Sequence, residues 1–392
     1  MAMKGKLRNQ EERDHINNNP SLEKNHNFIP KKGRTMNPLT QFKKTLILPI
    51  PTTPIEYRTT PTENGTRSAR RGTSKRGILI LTLMSLCYSG AAWGIGESKL
   101  EAWSAPINVG SPLNTQYNDT YPILTADELT VYFTSDRPGG LGGDDLWVSR
   151  RESTDSPWGE PENLTILNSP FNDSLSVLST SGNIMYFHSD CPGGCGAGDL
   201  WTSRAEPGSD EWTAPVNMGC VVNTAATEIA PAFYANDDLG LSTIYFGSNR
   251  PGGIGGFDVY ATTTTDEDLE SAVWSPGVLV PELSSPARDT RTFVRRDGRE
   301  IFITSDRTGG VGGLDIWVAT REDPSDLWST PVNPGPPLNS AADDGSPALS
   351  RDGRTLYFFS TRPGGFGGRD IWFTVRERVR PGQKTDPRQK GQ

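Results

Sequence analysis

From about residue 103 to about residue 376 the chain alternates short apolar runs with turns rich in Gly, Pro, Asp and Asn. The strongest runs are Val131-Tyr132-Phe133, Ile184-Met185-Tyr186-Phe187, Ile244-Tyr245-Phe246, Ile301-Phe302-Ile303 and Leu356-Tyr357-Phe358. They are short, β-branched and aromatic, and no long stretch carries a helical period, so the pattern predicts strands. Each run is followed by a glycine-rich loop and a second run: Asp145-Leu146-Trp147, Asp199-Leu200-Trp201, Asp258-Val259-Tyr260, Asp315-Ile316-Trp317 and Asp370-Ile371-Trp372. Before several of them sits a tight turn such as Asp297-Gly298 or Asp352-Gly353, the chemistry a β-hairpin requires.

The pattern repeats five times. A Trp opens each unit, at Trp103, Trp158, Trp212, Trp274 and Trp328, with spacings of 55, 54, 62 and 54 residues. That length suits four strands and their turns, one blade of a propeller. The extra residues of the third unit are expected in loops around Asn236–Ser242 and Thr262–Ser271. The fifth unit stops after its third strand, while the first Trp segment precedes the first innermost strand. The predicted fold is therefore all-β: a five-bladed β-propeller of four-stranded antiparallel blades over residues 100–376. The segment Trp103–Asn108 supplies the outer strand of the last blade and hides two sheet edges.

Composition and charge refine this picture. Residues 1–99 carry 17 Lys/Arg and 7 Asp/Glu, the rest 22 and 40, for a net charge of −8. An acidic propeller repels phosphate backbones, so nucleic acid is not an expected partner. Residues 1–69 are polar and read as a disordered or mis-annotated extension. Residues 70–96 combine a basic start, the apolar run Ile78–Cys87 and small residues, which describes a signal peptide or signal anchor. Translation is expected to start near residue 70, and the protein is expected in the periplasm, on the cell surface or secreted. Residues 377–392 read as a basic flexible tail. Within the propeller, His188 is the sole histidine, which removes most histidine-based metal sites and catalytic triads. It is read as a packing residue.

Segments such as Ser350-Arg351-Asp352-Gly353-Arg354-Thr355-Leu356-Tyr357-Phe358, then Ser360-Thr361-Arg362-Pro363-Gly364-Gly365 and Asp370-Ile371-Trp372, resemble the WD40-like propeller repeat of TolB-type proteins. The resemblance implies an exported propeller acting as a non-catalytic protein- or glycan-binding module. Its expected partner is an envelope protein segment or a glycan, and the chain is expected to be a monomer without a cofactor.

Residues present in every unit are most simply structural. The glycines of the Asp136-Arg137-Pro138-Gly139-Gly140 type of loop supply positive φ, and Asp145 and its equivalents accept backbone N–H groups. A second set begins the innermost strands: Asp119, Asp173, Glu228, Asp289 and Asp344. Their strand starts share one rim of the central channel, so five acids are expected near one mouth as a ligand-binding ring. Such a ring suits a basic segment or a cation such as calcium; the alternative is a repeated cap on the turn before each strand. Arg288, Arg291, Arg295 and Arg296 are expected counter-charges. The order Asp119, Asp173, Glu228 also matches that of five-bladed arabinanases and xylosidases. On that resemblance the three acids would be general base, orienting acid and general acid of an inverting glycoside hydrolase. Cys191 and Cys195, four apart across a turn, suit a small disulfide, with a two-cysteine metal site as the rival. Cys220 is then a buried thiol.

Overall fold

The computed structural model describes residues 102–376, except 207, 208, 210, 267 and 270. The expected extension, signal segment and basic tail lie outside the described residues. Within them the chain is all-β, and β1 (Ile107–Asn108) precedes five blades. The first blade holds β2 (Asp119–Leu124), β3 (Thr130–Ser135), β4 (Asp145–Arg150) and β5 (Glu162–Asn163); the second holds β6 (Asp173–Leu178), β7 (Ile184–Ser189), β8 (Asp199–Arg204) and β9 (Val216–Asn217). The third holds β10 (Glu228–Asn236), β11 (Leu241–Ser248), β12 (Asp258–Thr264) and β13 (Val278–Leu279). In the fourth, β14 (Asp289–Val294), β15 (Glu300–Ser305) and β16 (Asp315–Thr320) are joined on the outside by a single antiparallel bridge, Val318–Val332. The fifth holds β17 (Asp344–Leu349), β18 (Thr355–Ser360) and β19 (Asp370–Val375).

The ring closes as the repeat phasing predicts. β1 pairs antiparallel with β19 through Ile107–Phe373 and Asn108–Trp372, and forms the outer strand of the fifth blade. The inserted length of the third unit is shared between loop and strand: residues 237–240 form a turn, and the described residues after Thr264 leave the sheet. It lengthens β10, β11 and β12 to 9, 8 and 7 residues, so Asn236, Ser242 and Thr262 are strand rather than loop. The insertion extends a hairpin that was already paired, and backbone hydrogen bonds satisfy the added residues.

The opening Trp residues join successive blades. Trp212 on the second blade meets Tyr132 of the first at 5.9 Å between ring centroids, and Trp274 meets Tyr186 at 6.0 Å. Trp328 meets Tyr245 at 6.4 Å, and Trp103 meets Phe302 at 6.3 Å. All four are edge-to-face, a geometry that contributes about 0.5–1.5 kcal/mol per pair beyond the area buried. Arg376, just past β19, makes a bidentate ion pair with Glu300 of the fourth blade at 2.7 and 2.6 Å and lies over Trp103. This tie fastens the last residues of the ring to its neighbour.

Each innermost strand carries a bulge two to three residues after its first acid. There Tyr121, Leu175, Ala230 and Ser346 take φ of 53°, 60°, 57° and 54°, the left-handed region that L-residues occupy at a cost. In the fourth blade the equivalent residue is Arg291, which has no positive φ.

Candidate functional site at the propeller axis

The two ends of the channel differ. At the end where innermost strands begin, the five acids are brought to one rim as expected, but none is available to a ligand. Asp119, Glu228, Asp289 and Asp344 are 0% exposed and Asp173 is 1% exposed. One oxygen of Asp119 accepts from the Thr115 backbone N–H and hydroxyl; the other accepts from the Ser135 hydroxyl and Arg137. Asp289 repeats the scheme with Ser285, Ser305 and Arg307. Glu228 uses the same donor types: Oε2 accepts from the Thr224 N–H, and Oε1 from the Thr224 and Ser248 hydroxyls and Arg250. Asp344 is held by Ser340 and Arg362.

The alternative of a repeated cap on the turn therefore describes these residues, extended by an ion pair that sequence reasoning missed. The counter-charges are Arg137, Arg250, Arg307 and Arg362, two residues past the serine that ends each second strand. They are not Arg288, Arg291, Arg295 and Arg296. Each of the four also bonds a carbonyl of the preceding turn, Leu113, Val222, Leu283 or Leu338, and lies over aromatic rings such as Phe133 and Trp147. The signal was present as Asp-Arg, Asn-Arg or Thr-Arg before four of the five glycine loops. The ligand-binding ring and a calcium at this mouth are thereby corrected: all five acids are buried, and in four blades both carboxylate oxygens are spent on internal donors. Among the described residues no group of three or more His, Cys, Asp or Glu side chains is placed to hold a metal ion.

Asp145, Asp258, Asp315 and Asp370 accept backbone N–H groups of their glycine loops, for example Leu141 and Gly142 on Asp145. Burial raises the pKa of Asp145 and Asp370. The second blade departs from the repeat. Cys191 occupies the arginine position, and the Ser169 N–H and hydroxyl both bond one oxygen of Asp173. The disulfide is Cys195–Cys220, with Cα atoms 5.5 Å apart, and Cys191 is free; the expected Cys191–Cys195 bridge does not form. Cys195 lies against the turn leading to the third blade, while Cys191 replaces a side chain committed to its own blade. His188 is buried but not merely packed: Nδ1 meets the Glu228 carbonyl at 2.9 Å and Nε2 meets Asp190 at 3.0 Å. It links the second blade to the third.

The other end of the axis is open. A cavity of about 630 Å³ is lined by the last residues of all five innermost strands and the hairpins that follow them. Aromatic walls come from Tyr132, Phe233, Tyr234 and Phe293. Carboxylates come from Asp127, Glu206 and Asp237 on the first three blades, and cations from Arg295, Arg296 and Arg351 on the fourth and fifth. Ser179, Ser181 and Asn183 add neutral hydrogen-bonding groups. The Thr125 hydroxyl and the Leu129 N–H hold Asp127 below the usual aspartate range. Arg295 is tied to Asp297 and Glu300. Sequence reasoning placed no ligand here, although the signal was present: these positions differ from blade to blade, whereas the rim acids do not.

A cross-blade funnel on the axis of a five-bladed β-propeller is thus the class of site that the fold defines. No protein-family model matches the sequence, and no curated protein matches it. Among solved structures, the chain is similar to the endo-arabinase from Bacteroides thetaiotaomicron, at 18% identity over 72% of this chain and 100% of that one, with TM-score 0.49. It is also similar to a thermostable family-43 glycoside hydrolase, at 15% identity over 71% and 97% with TM-score 0.47. An α-L-arabinofuranosidase from Podospora anserina aligns at 10% identity over 71% and 98%, also with TM-score 0.47. These neighbours are glycoside hydrolase propellers and not TolB-type proteins, so the TolB-type resemblance and the non-catalytic module drawn from it are corrected. At such identities the likeness concerns the fold.

Proposed function

We propose that the protein acts on a glycan held in the axial funnel, and that cleavage there uses carboxylates lining the funnel rather than Asp119, Asp173 and Glu228. One observation carries this reading: Asp127, Glu206 and Asp237 come from three blades to one aromatic-walled cavity of about 630 Å³. Sugar rings stack their C–H faces on aromatic side chains, and their hydroxyls bond carboxylates, amides and serines. Glycoside hydrolysis needs two carboxylates on opposite sides of a glycosidic bond, one to donate a proton and one to activate water or attack. Asp127 is held ionised by its hydrogen bonds and suits the base. Asp237, across the cavity wall on the third blade, suits the acid. The three rim acids are at most 1% exposed and engaged with internal donors, so they reach no substrate.

The test is release of reducing sugar from arabinan, xylan and p-nitrophenyl glycosides, alongside binding by affinity electrophoresis on the same glycans. The expected result is turnover that Asp127→Asn and Asp237→Asn each abolish while the fold and the melting temperature persist. Retention of any glycan in the gel, weakened by the same two changes, supports the funnel as the glycan site but rejects cleavage. Neither turnover nor retention on the whole panel overturns the proposal.

A further inference from the structure

The most unusual charge in the described residues is Arg291. It lies on β14 at the bulge position that Tyr121, Leu175, Ala230 and Ser346 fill in the other blades. The innermost strands form a ring in the order β2, β6, β10, β14, β17. Arg291 nevertheless donates from Nη2 to the carbonyl of Ser176 on β6, at 2.9 Å, and lies 5.9 Å from the ring centroid of Tyr121 on β2. β6 and β14 are not neighbours in that ring, so the side chain crosses the axis to make this contact. It is 2% exposed.

Its environment is wrong for a structural cation. The four rim arginines each meet a carboxylate; Arg291 meets a neutral carbonyl. Nε and Nη1 have no hydrogen-bond partner among the described residues, and neither have the hydroxyls of Ser176, whose carbonyl Arg291 meets, and of Thr292, next to it in sequence. A buried guanidinium without a counter-charge is costly, and buried donors are normally satisfied. Burial lowers its pKa to about 10, which still leaves it protonated at neutral pH. A buried positive charge with two idle N–H donors, held against a residue whose own hydroxyl is idle, is the complement of a small anion.

We propose that the propeller axis holds a small monovalent anion, chloride in the simplest case, bound by Nε and Nη1 of Arg291 beside the hydroxyls of Ser176 and Thr292. The site lies between the closed rim and the funnel floor, where Val177 and Phe293 follow Ser176 and Thr292 in sequence and line the cavity. Bound there, the anion neutralises the axis and joins the second and fourth blades. The proposal is independent of whether the funnel accepts a glycan.

The experiment is thermal and urea unfolding of the full chain at constant ionic strength, with chloride or bromide replacing bulky methanesulfonate. Because ligand binds the folded state, the unfolding constant falls roughly tenfold once the halide reaches ten times its dissociation constant. Arg291→Met is expected to lose that dependence, and Arg291→Lys to weaken it by removing the planar pair of donors. A separate arm replaces halide with glucuronate or with glucose. Protection by glucuronate without protection by halide overturns the halide site in favour of a carboxylate arriving through the funnel. If the variants do not fold, anomalous scattering from bromide-soaked crystals of the unaltered protein decides: a peak within hydrogen-bond reach of Arg291 Nε or Nη1 supports the site. A halide-independent unfolding curve, or an empty axis in the bromide map, overturns it.

Discussion

The two ends of the channel are made by the same five strands and do opposite things. Where the strands begin, each blade presents an acid followed on the next strand by a serine and, in four blades, an arginine; all are turned inward and none is free. Where the strands end, the blades present different residues, and a cavity opens between them. A side chain repeated around a ring is constrained by the repeat's own folding. A side chain that varies at the same position is released from that constraint and becomes available to a ligand.

The largest effect that would break this comparison concerns the closed end. Asp289→Ala leaves the Arg307 guanidinium, 11% exposed, without its carboxylate. The expected loss is about 3–5 kcal/mol of stability in urea unfolding, and the paired change Asp289→Leu with Arg307→Met should recover most of it. In the second blade Cys191 replaces the arginine, so Asp173→Ala should cost only about 1–3 kcal/mol. Equal losses in the two blades would show that the ion pair is not what these acids serve.

Next comes the disulfide that sets the second blade apart. Cys195–Cys220 closes a loop of 25 residues. Cys220→Ala should lower stability by about 3 kcal/mol, while Cys191→Ala, read in the same urea titration, should change it little. The reverse ranking would restore the Cys191–Cys195 pairing.

At the open end, Arg296→Ala should weaken glycan retention in affinity electrophoresis about tenfold, which corresponds to about 1.4 kcal/mol. Its melting temperature should stay put, because the side chain is exposed on the funnel rim. A matching fall in melting temperature would mean that the rim is structural as well.

The smallest effect is expected at Glu128. It has φ 61° beside the funnel, where the hairpins of the second, fourth and fifth blades place Gly182, Gly298 and Gly353. Glu128→Gly should therefore gain about 1 kcal/mol. Burial and then Asp352 raise the pKa of Glu128. With the folded value above the unfolded one, the ionised carboxylate opposes folding above the folded value. That penalty fades as pH falls through the folded value toward the unfolded one. The gain from Glu128→Gly should accordingly be larger at pH 7 than at pH 3, as read from urea midpoints.

Much of the architecture was legible because the repeat is local. Five Trp residues, five apolar runs and Asp-Gly turns specify strands through period and turn chemistry alone, and the split phasing of the first and last units implies closure by Trp103–Asn108. The rim acids were also legible as a set, since each occupies the same place in its unit. Their partners were not. Arg137 lies 18 residues from Asp119 and meets it across a hairpin, so its role depends on which way two strands face. The disulfide failed for a related reason: Cys191 and Cys195 are near in sequence, but the glycine loop turns one into the repeat and the other toward Cys220.

The sequence by itself determined the number of blades, their strand order and the residues shared by all of them, because hydrophobic period and turn residues act over a few positions. Only the tertiary structure decided which end of the channel is closed and which is open. It also set Arg291 across the axis against Ser176, 115 residues away. Those outcomes depend on charges and side chains converging from separate blades, and no local pattern encodes a distance across the ring.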